Sequence, residues 1–546
     1  MKQPFPSSAE PGVAGLPADG LGAAPDPHVV ADQSEVFRLL ADPATYPLTP
    51  PVKRIDTHGA AVFLAGDEVY KVKRAVRFPF MDLSTLARRH AACAREVEIN
   101  RQGAPGIYLG LVPILRRAGR LQLGGDDSCG DDIVEWAVHM RRFDEEATLD
   151  KVAERGELTP SLIDALARAI AAAHERAARY PDFDVAAALA HVIGDVVNGL
   201  REATELFAPA RISVLETGFR AALDRLAPLL ARRARAGEVR RCHGDLHLRN
   251  IALINGAPVL FDALEFDEAL ATTDRLYDLA FLLMDLWLRN LRFEANLTLN
   301  RYFAACGNTA PHDGLAALPL FIGLRAAIRA QVTAAALIHR NGAARETAAG
   351  EALAYLDLAE TALKPAPAQL VGIGGLSGTG KSTLAARLAP GIGPLPGAMH
   401  LRSDVERKRL AGIGELERLP PAAYTPEATE AVYAELRRRA AAILAAGHGV
   451  VVDGVHQRAD ERAALAQVAQ QAGVRFTGIW LEAPVAALET RVAARRGDAS
   501  DATVDVVRQQ AARDVGTLDW VRLSAAGTPE EVLARAQAAL ALASRR

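Results

Sequence analysis

Residues 241–253 read RCHGDLHLRNIAL, which sets two histidines, an aspartate and an asparagine within eight residues, ahead of an apolar run. A metal site is the first reading to weigh. His243 and His247 stand four apart, as on a zinc-binding helix, but that motif needs Glu directly after the first His, and Gly244 stands there. Gly is also poor inside a helix, so the zinc reading carries little weight. A helix-capping turn beside a strand is the plain alternative. Against it stands the sequence that follows: PVLFD, residues 258–262, reads as an apolar strand ending in a second acid, Asp262.

Working outward, the 546 residues exceed what one compact core accommodates, and half of them are hydrophobic, enough for more than one sizeable core. The balance of 63 basic against 66 acidic residues argues against a dedicated nucleic-acid coat or a polybasic membrane binder. Four cysteines, Cys93, Cys129, Cys242 and Cys306, are scattered without a C-x-x-C pair, as expected for reduced thiols in a cytoplasmic protein. Residues 1–30 are rich in Pro, Gly, Ala and Ser and lack the basic start and apolar core of a signal peptide, so a disordered tail is expected. No apolar run is expected to span a bilayer. The most apolar one, LYDLAFLLMDLWL (276–288), carries Asp278 and Asp285 and fits a buried helix better.

Upstream of the opening stretch, AAVFLAG (60–66) and EVYKVKR (68–74) alternate like a hairpin around Gly66-Asp67. A helical pattern over 84–102 and strand-like runs at YLGLVPILRR, RLQLGG and IVEWAVHM follow. Helices are expected through about 236 and again to about 362. KPAPAQ (364–369) is the linker candidate, because two prolines break a helical pattern just before a new strand. Beyond it, over 370–546, strands alternate with helices, which predicts a parallel α/β sheet. After RFTGIWLEA (475–483) only helices are expected.

The segment H-G-D-L-H-L-R-N resembles the protein-kinase catalytic loop H-R-D-L-x-x-x-N. With D-x-x-E following (Asp262 to Glu265), it resembles more closely the aminoglycoside phosphotransferase and choline-kinase branch of the kinase-like fold. The resemblance covers 31–363. It implies an α+β protein-kinase-like domain in which Asp245 acts as base and Asn250 and Asp262 bind Mg²⁺. The preceding residues supply the remaining parts. Lys71 and Lys73 share a strand face; Lys71 is favoured for the phosphates, with Glu96 as its ion-pair partner and Glu98 as the alternative. No glycine-rich G-x-G-x-x-G precedes the lysine; THGAAVF (57–63) stands in that place. His247 is read as a loop brace.

A second motif sits in the other half. Residues 371–383, VGIGGLSGTGKST, contain G-x-x-x-x-G-K-[ST] from Gly375 to Ser382, between an apolar strand and a helix. Glycines Gly375, Gly378 and Gly380 let backbone N–H groups turn toward phosphates, joined by those of Ser377, Thr379 and Thr383 at the helix N-terminus. Lys381 is expected on the β- and γ-phosphates and Ser382 on Mg²⁺, with Asp453, at the end of GVVVDG, as a further magnesium-organising acid. HLRSDVERKRL (400–410) offers Asp404 as acceptor-activating acid or as helix N-cap, and Arg407 as a grip for an anionic substrate. Arg491, Arg495 and Arg496 are expected on a helix as a lid over the transferring phosphoryl group, or else as a solvated face. This half resembles P-loop small-molecule kinases of the polynucleotide-kinase and gluconate-kinase type. The arrangement as a whole resembles a bacterial family of fusions that join an aminoglycoside phosphotransferase-like domain to an AAA-type ATP-binding domain.

The expectation is therefore a tandem ATP- and Mg²⁺-dependent phosphotransferase with a small-molecule hydroxyl acceptor for each half. Two alternatives stay open at the level of sequence. One is a nucleotide-gated regulator with a silent kinase-like half. The other is a nucleic-acid end-kinase in the second half, which calls for a basic groove near Arg402, Arg407, Lys408 and Arg409.

Overall fold

The computed structural model describes residues 28–57, 59–78, 81–125, 132–307 and 311–543. Residues 1–27 of the expected tail, and Cys129, lie outside them. The chain forms two compact units. The first takes residues up to 223, 230–285 and 325–357; the second takes 224–229, 286–324 and 358–546.

The first unit begins with strands β1 (Val52–Asp56), β2 (Ala60–Ala65), β3 (Glu68–Lys73), β4 (Arg77–Phe78), β5 (Met81–Asp82), β6 (Tyr108–Arg117), β7 (Arg120–Leu123) and β8 (Asp132–Arg141). Six of them build one antiparallel sheet in the order β1-β2-β3-β8-β6-β7. The period of two sorts the side chains. Phe63, Tyr70, Val72 and Ala137 pack with Val36 and Leu40 of the helix Ser34–Ala41. Leu64, Val69 and Val138 pack on the other face with Cys93 and Val97 of the helix Leu86–Gly103. Lys71 and Lys73 are in phase with Val69, so both face that helix. Arg89 of the helix is fixed to the sheet by a buried pair with Glu135 at 2.8 Å.

The helical part of this unit contains β9 (Val239–Arg241), β10 (Ile251–Ile254), β11 (Ala257–Leu260) and β12 (Thr272–Asp274). β9 pairs with β12 and β10 with β11, both antiparallel. The strand expected over 258–262 stops at Leu260, because Asp262 takes a left-handed φ of 58° that no strand can continue through. Behind β9 and β12 lies a buried ionic cluster: Arg233–Asp274 at 2.6 Å, Arg275–Glu238 at 2.7 Å and Arg233–Glu238 at 3.3 Å. The apolar segment 276–288 forms the helix Arg275–Leu288, with Asp278 and Asp285 both buried.

The second unit is built on β13 (Gln369–Gly375), β14 (Met399–Arg402), β15 (Val450–Asp453), β16 (Arg475–Glu482) and β17 (Val521–Ser524), in the order β14-β15-β13-β16-β17 with every pairing parallel. Val450–Val452 are wholly buried, as a central strand covered on both faces requires. β17 corrects the expectation of helices alone after residue 483. It is a four-residue edge strand, mostly exposed, too short and too polar to show a period. One helical stretch, His312–Ile338, is long and apolar enough to cross a bilayer by length and composition, and 67% of its most apolar window is buried.

Candidate active sites

The stretch 241–253 forms a loop and a short 3₁₀ turn, Leu248–Asn250, rather than a metal-binding helix. Gly244 is required where it stands. Its φ is +84°, and a Cβ there would come within 2.9 Å of the Leu264 side chain. The buried Asp278 carboxylate accepts from Gly244 N at 2.7 Å and His243 N at 3.3 Å, and also contacts His174 Nε2 at 3.0 Å. Asp285 accepts from Leu248 N at 3.1 Å. Two acids on one helical face, two turns apart, thus hold the loop backbone. His243 completes the frame: its Nε2 donates to Phe261 O at 2.9 Å and its Nδ1 accepts from Asp245 N at 3.3 Å. Burial holds His243 below the usual imidazole range, which suits that neutral tautomer.

Within this frame the expected residues meet. Asn250 Nδ2 donates to Asp245 Oδ2 and to Asp245 O, each at 2.9 Å. Lys71 Nζ reaches Glu96 Oε1 at 2.9 Å and Asp262 Oδ1 at 2.8 Å. Lys73 pairs with Glu96 Oε2 at 2.6 Å and with Glu265. Glu98 turns outward and pairs with Arg95. Burial pushes Asp245 up, but the His247 ring beside it outweighs this and holds the carboxyl below the ordinary range. Burial likewise pushes Glu96 up, and the two lysines outweigh it. His247 lies 3.4 Å from Asp245 and accepts from Arg249 N, a brace on the turn.

Sequence reasoning missed the residues that hold Asp262 in its unusual conformation. Tyr108 Oη accepts from Asp262 N at 3.1 Å, and Asn100 Oδ1 accepts from Ala263 N at 2.7 Å. Neither has a motif spacing that would mark it. Only the polarity of Asn100, three residues from the buried Val97 on the helix of Glu96, offered a hint.

In the second unit the run from Gly375 to Ser382 wraps the N-terminus of the helix Lys381–Leu388. Gly375, Gly378 and Gly380 have φ of 138°, 87° and 86°. A Cβ on Gly378 would lie 2.9 Å from Leu488 O, so position 378 cannot take a side chain and keep this turn. Lys381 Nζ donates to Leu376 O at 3.0 Å, and burial depresses its pKa. Ser377, Gly378, Gly380, Lys381, Ser382 and Thr383 border a cavity of about 980 Å³, and Asp404, Arg407, Arg491 and Arg495 border it too. Gly375 and Thr379 stand behind the loop, Thr379 Oγ1 donating to Leu376 O at 2.8 Å.

Several expectations are corrected here. Asp404 lies in the first turn of the helix Ser403–Leu410, whose N-cap is Arg402, so Asp404 is no N-cap. Its acid is pushed up, chiefly by burial. Arg407 donates to Ala423 O at 2.7 Å and stacks on Tyr424, so part of its fork is already engaged. The helix Val485–Ala494 ends before Arg495, leaving only Arg491 on it, and Arg491 donates to Gly378 O and Ala525 O. Arg495 Nη1 is buried without a hydrogen-bond partner. Asp453 does not border the cavity; its Oδ2 meets His400 Nε2 at 2.7 Å, which holds its pKa at about 2 despite burial. The candidate basic groove is also internally engaged: Arg402 with Asp498, the buried Lys408 with Asp501, and Arg409 with Glu406 and Glu435.

Both sites suit a magnesium nucleotide on their own donors. The first offers an amide and a carboxylate beside a paired lysine. The second offers a loop with three glycines at left-handed φ, a half-buried lysine and a helix-start hydroxyl.

Comparison with known proteins follows this division. Residues 83–317 match the model of the phosphotransferase enzyme family (APH), and residues 370–514 match an AAA domain model. A choline/ethanolamine kinase family protein from Mesorhizobium loti is 17% identical, over 60% of this chain and 95% of that one, with a TM-score of 0.35. A gluconokinase from Sinorhizobium meliloti is 23% identical, over 33% of this chain and 95% of that one, with a TM-score of 0.25. An uncharacterized protein of Mycobacterium tuberculosis is 31% identical over 504 residues, 88% of this chain and 94% of the relative. With a kinase-like unit ahead of a parallel P-loop unit, and with likeness to that relative running through both, the chain belongs to its family, a fusion of an APH-type phosphotransferase domain with a C-terminal AAA-type P-loop domain.

Proposed function

We propose that the protein is a tandem kinase, each half binding Mg-ATP and passing the γ-phosphoryl group to a hydroxyl of a small molecule. The modules are residues 31–363 and 370–546, joined by 364–369. The observation that carries the reading is the convergence of Lys71, Glu96, Asp262, Asn250 and Asp245 in the first unit, from four separate segments. A silent binding module has no chemical need of all five.

In the first half, Lys71 with Glu96 orients phosphate oxygens, and Asn250 and Asp262 hold Mg²⁺. Asp245, kept ionised, orients the acceptor hydroxyl and takes its proton as the oxygen attacks phosphorus. In the second half, Lys381 and the loop amides other than that of Ser377, which donates to Gln510, hold phosphates and Ser382 holds the metal. Asp404 takes the acceptor proton, and Arg491 and Arg495 stand at the lid. Asp453 serves from behind, through His400. The bound metal ion would supply charge neutralisation across the phosphates. Three buried thiols, Cys93, Cys242 and Cys306, suit a cytoplasmic setting.

Calorimetric stoichiometry of AMP-PNP with Mg²⁺ tests this reading on the wild type, Lys381→Ala and Asp262→Ala. Two binding events are expected, one lost in each variant. A single event, lost only with Lys381→Ala, would remove the first half from the kinases and leave a P-loop enzyme or switch beside a silent module.

A further inference from the structure

The cavity of the second unit has a wall that the roles above leave unused. The helix Val504–Ala511 forms it, with Gln509 and Gln510 both on the cavity. The Gln510 side chain lies on the phosphate loop itself: Ser377 N–H donates to Gln510 Oε1 at 2.8 Å. Ser377 is the third residue of the G-x-x-x-x-G-K-S run and is buried. A backbone N–H needs an acceptor, so this bond fixes which end of the carboxamide faces the loop. The oxygen is committed, and the Nε2 end, with its two donors, is left to the cavity.

The backbone that carries this side chain is held from behind. Gln457 Nε2 donates to Gln510 O at 2.6 Å and to Arg513 O at 3.4 Å. The buried Arg462 donates to Val515 O and Thr517 O, each at 2.8 Å, pinning the chain just beyond the helix. The Thr503 side chain caps the helix start by accepting from Val506 N. Gln510 is thus a rigidly mounted neutral donor at the edge of a phosphate nest, on the same cavity as Lys381 and Asp404. A neutral donor there strengthens a bond to a doubly charged terminal phosphoryl without adding a cation beside Lys381, whose own charge burial already disfavours.

The geometry points to Gln510 as the reader of the terminal phosphoryl group: Ser377 N–H sets the carboxamide, and Nε2–H donates to a γ-phosphoryl oxygen. This rests on the nucleotide reading of the second cavity. It distinguishes a triphosphate from a diphosphate, which Lys381 and the loop amides alone would hold by their shared β-phosphate.

The test is calorimetry of the full chain with Mg²⁺, measuring AMP-PNP and ADP at the binding event that Lys381→Ala removes. Gln510→Glu keeps an acceptor for Ser377 N–H and removes the donor; Gln510→Ala removes both. The expected result is a loss of AMP-PNP affinity of about tenfold or more in both variants, with ADP affinity within about twofold for Gln510→Ala. Equal losses for the two nucleotides would mean a clamp on the loop only and would overturn the assignment, as would no loss for either. If Lys381→Ala removes no binding event, the nucleotide reading of the cavity fails, and this assignment fails with it. A thermal midpoint for Gln510→Glu matching the wild type separates these outcomes from misfolding.

Discussion

At the level of single residues, two adjacent lysines on one strand face carry different burdens. Lys71 reaches Asp262 and keeps 16% of its side chain exposed, while Lys73 keeps 5% and is divided between Glu96 and Glu265. Lys73→Met should therefore act on stability. It leaves the buried Glu96 with Lys71 alone and the half-buried Glu265 without this cation, a defect of about 3 kcal/mol, read as a lowered midpoint in chemical denaturation. Lys71→Met should instead abolish phosphoryl transfer by the first half, because the group that reaches Asp262 is gone; an unchanged turnover would reassign the phosphate role to Lys73. Asp404 gives a second residue-scale test. Its pKa is raised chiefly by burial, so the carboxylate needed as base is lost as pH falls through a value above the ordinary aspartate range. Turnover of the second half should show an acidic limb there. Asp404→Asn should lower kcat by about 10²–10⁴-fold and erase that limb.

At the level of elements, the opening loop works because a helix behind it supplies acceptors for its amides. Asp278 meets two consecutive backbone N–H groups, and Asp285, two turns further along the same helix, meets a third. Asp278→Ala should leave the His243 and Gly244 amides unsatisfied in a dry interior. The expected cost is about 1–3 kcal/mol for each group that finds no new partner, and kcat in the first half should fall even where the variant remains folded at the assay temperature. Normal kcat in a folded Asp278→Ala protein would mean that the loop holds its shape without this brace. The sequence showed Asp278 as an oddity in an apolar run, and that much was legible. Its partners were not, because they are loop amides 34 and 35 residues away in the chain and amides have no residue code. The elements themselves were legible where their period was long, as in the hairpin around Gly66 and the alternating strands and helices beyond residue 369. β17 was hidden because an exposed edge strand of four residues carries no pattern. The helix ending before Arg495 was hidden because helical propensity does not mark where a lid segment turns.

At the level of the whole molecule, acid should act on the second unit through histidines that were invisible as a set in the sequence. His448, His456 and His312 all belong to that unit, and burial lowers their pKa values to about 4, 3 and 4. His448 and His456 are 0% and 1% exposed, and neither ring nitrogen of His456 has a hydrogen-bond partner. The sign follows from proton counts. Between the unfolded value of about 6.5 and these folded values, the unfolded chain binds protons that the folded chain refuses. Stability is therefore fully present above about pH 6.5 and falls as pH drops toward 4, by up to about 1.4 kcal/mol per pH unit for each such histidine. The thermal midpoint of the transition that Mg-AMP-PNP raises, and that it no longer raises in Lys381→Ala, should fall steadily between pH 7 and pH 5. His448→Gln keeps a donor for Gly397 O, and His456→Asn suits the left-handed φ of 47° at that position, so the pair removes two titrating groups with little change of shape. A double variant whose midpoint varies less with pH than the wild type assigns the acid sensitivity to these rings. An unchanged slope between pH 7 and pH 5 would overturn the assignment to these rings, and the pair of Asp453 with His400 would not replace them, because its stability contribution is lost only as pH falls below about 4 toward the folded value of about 2.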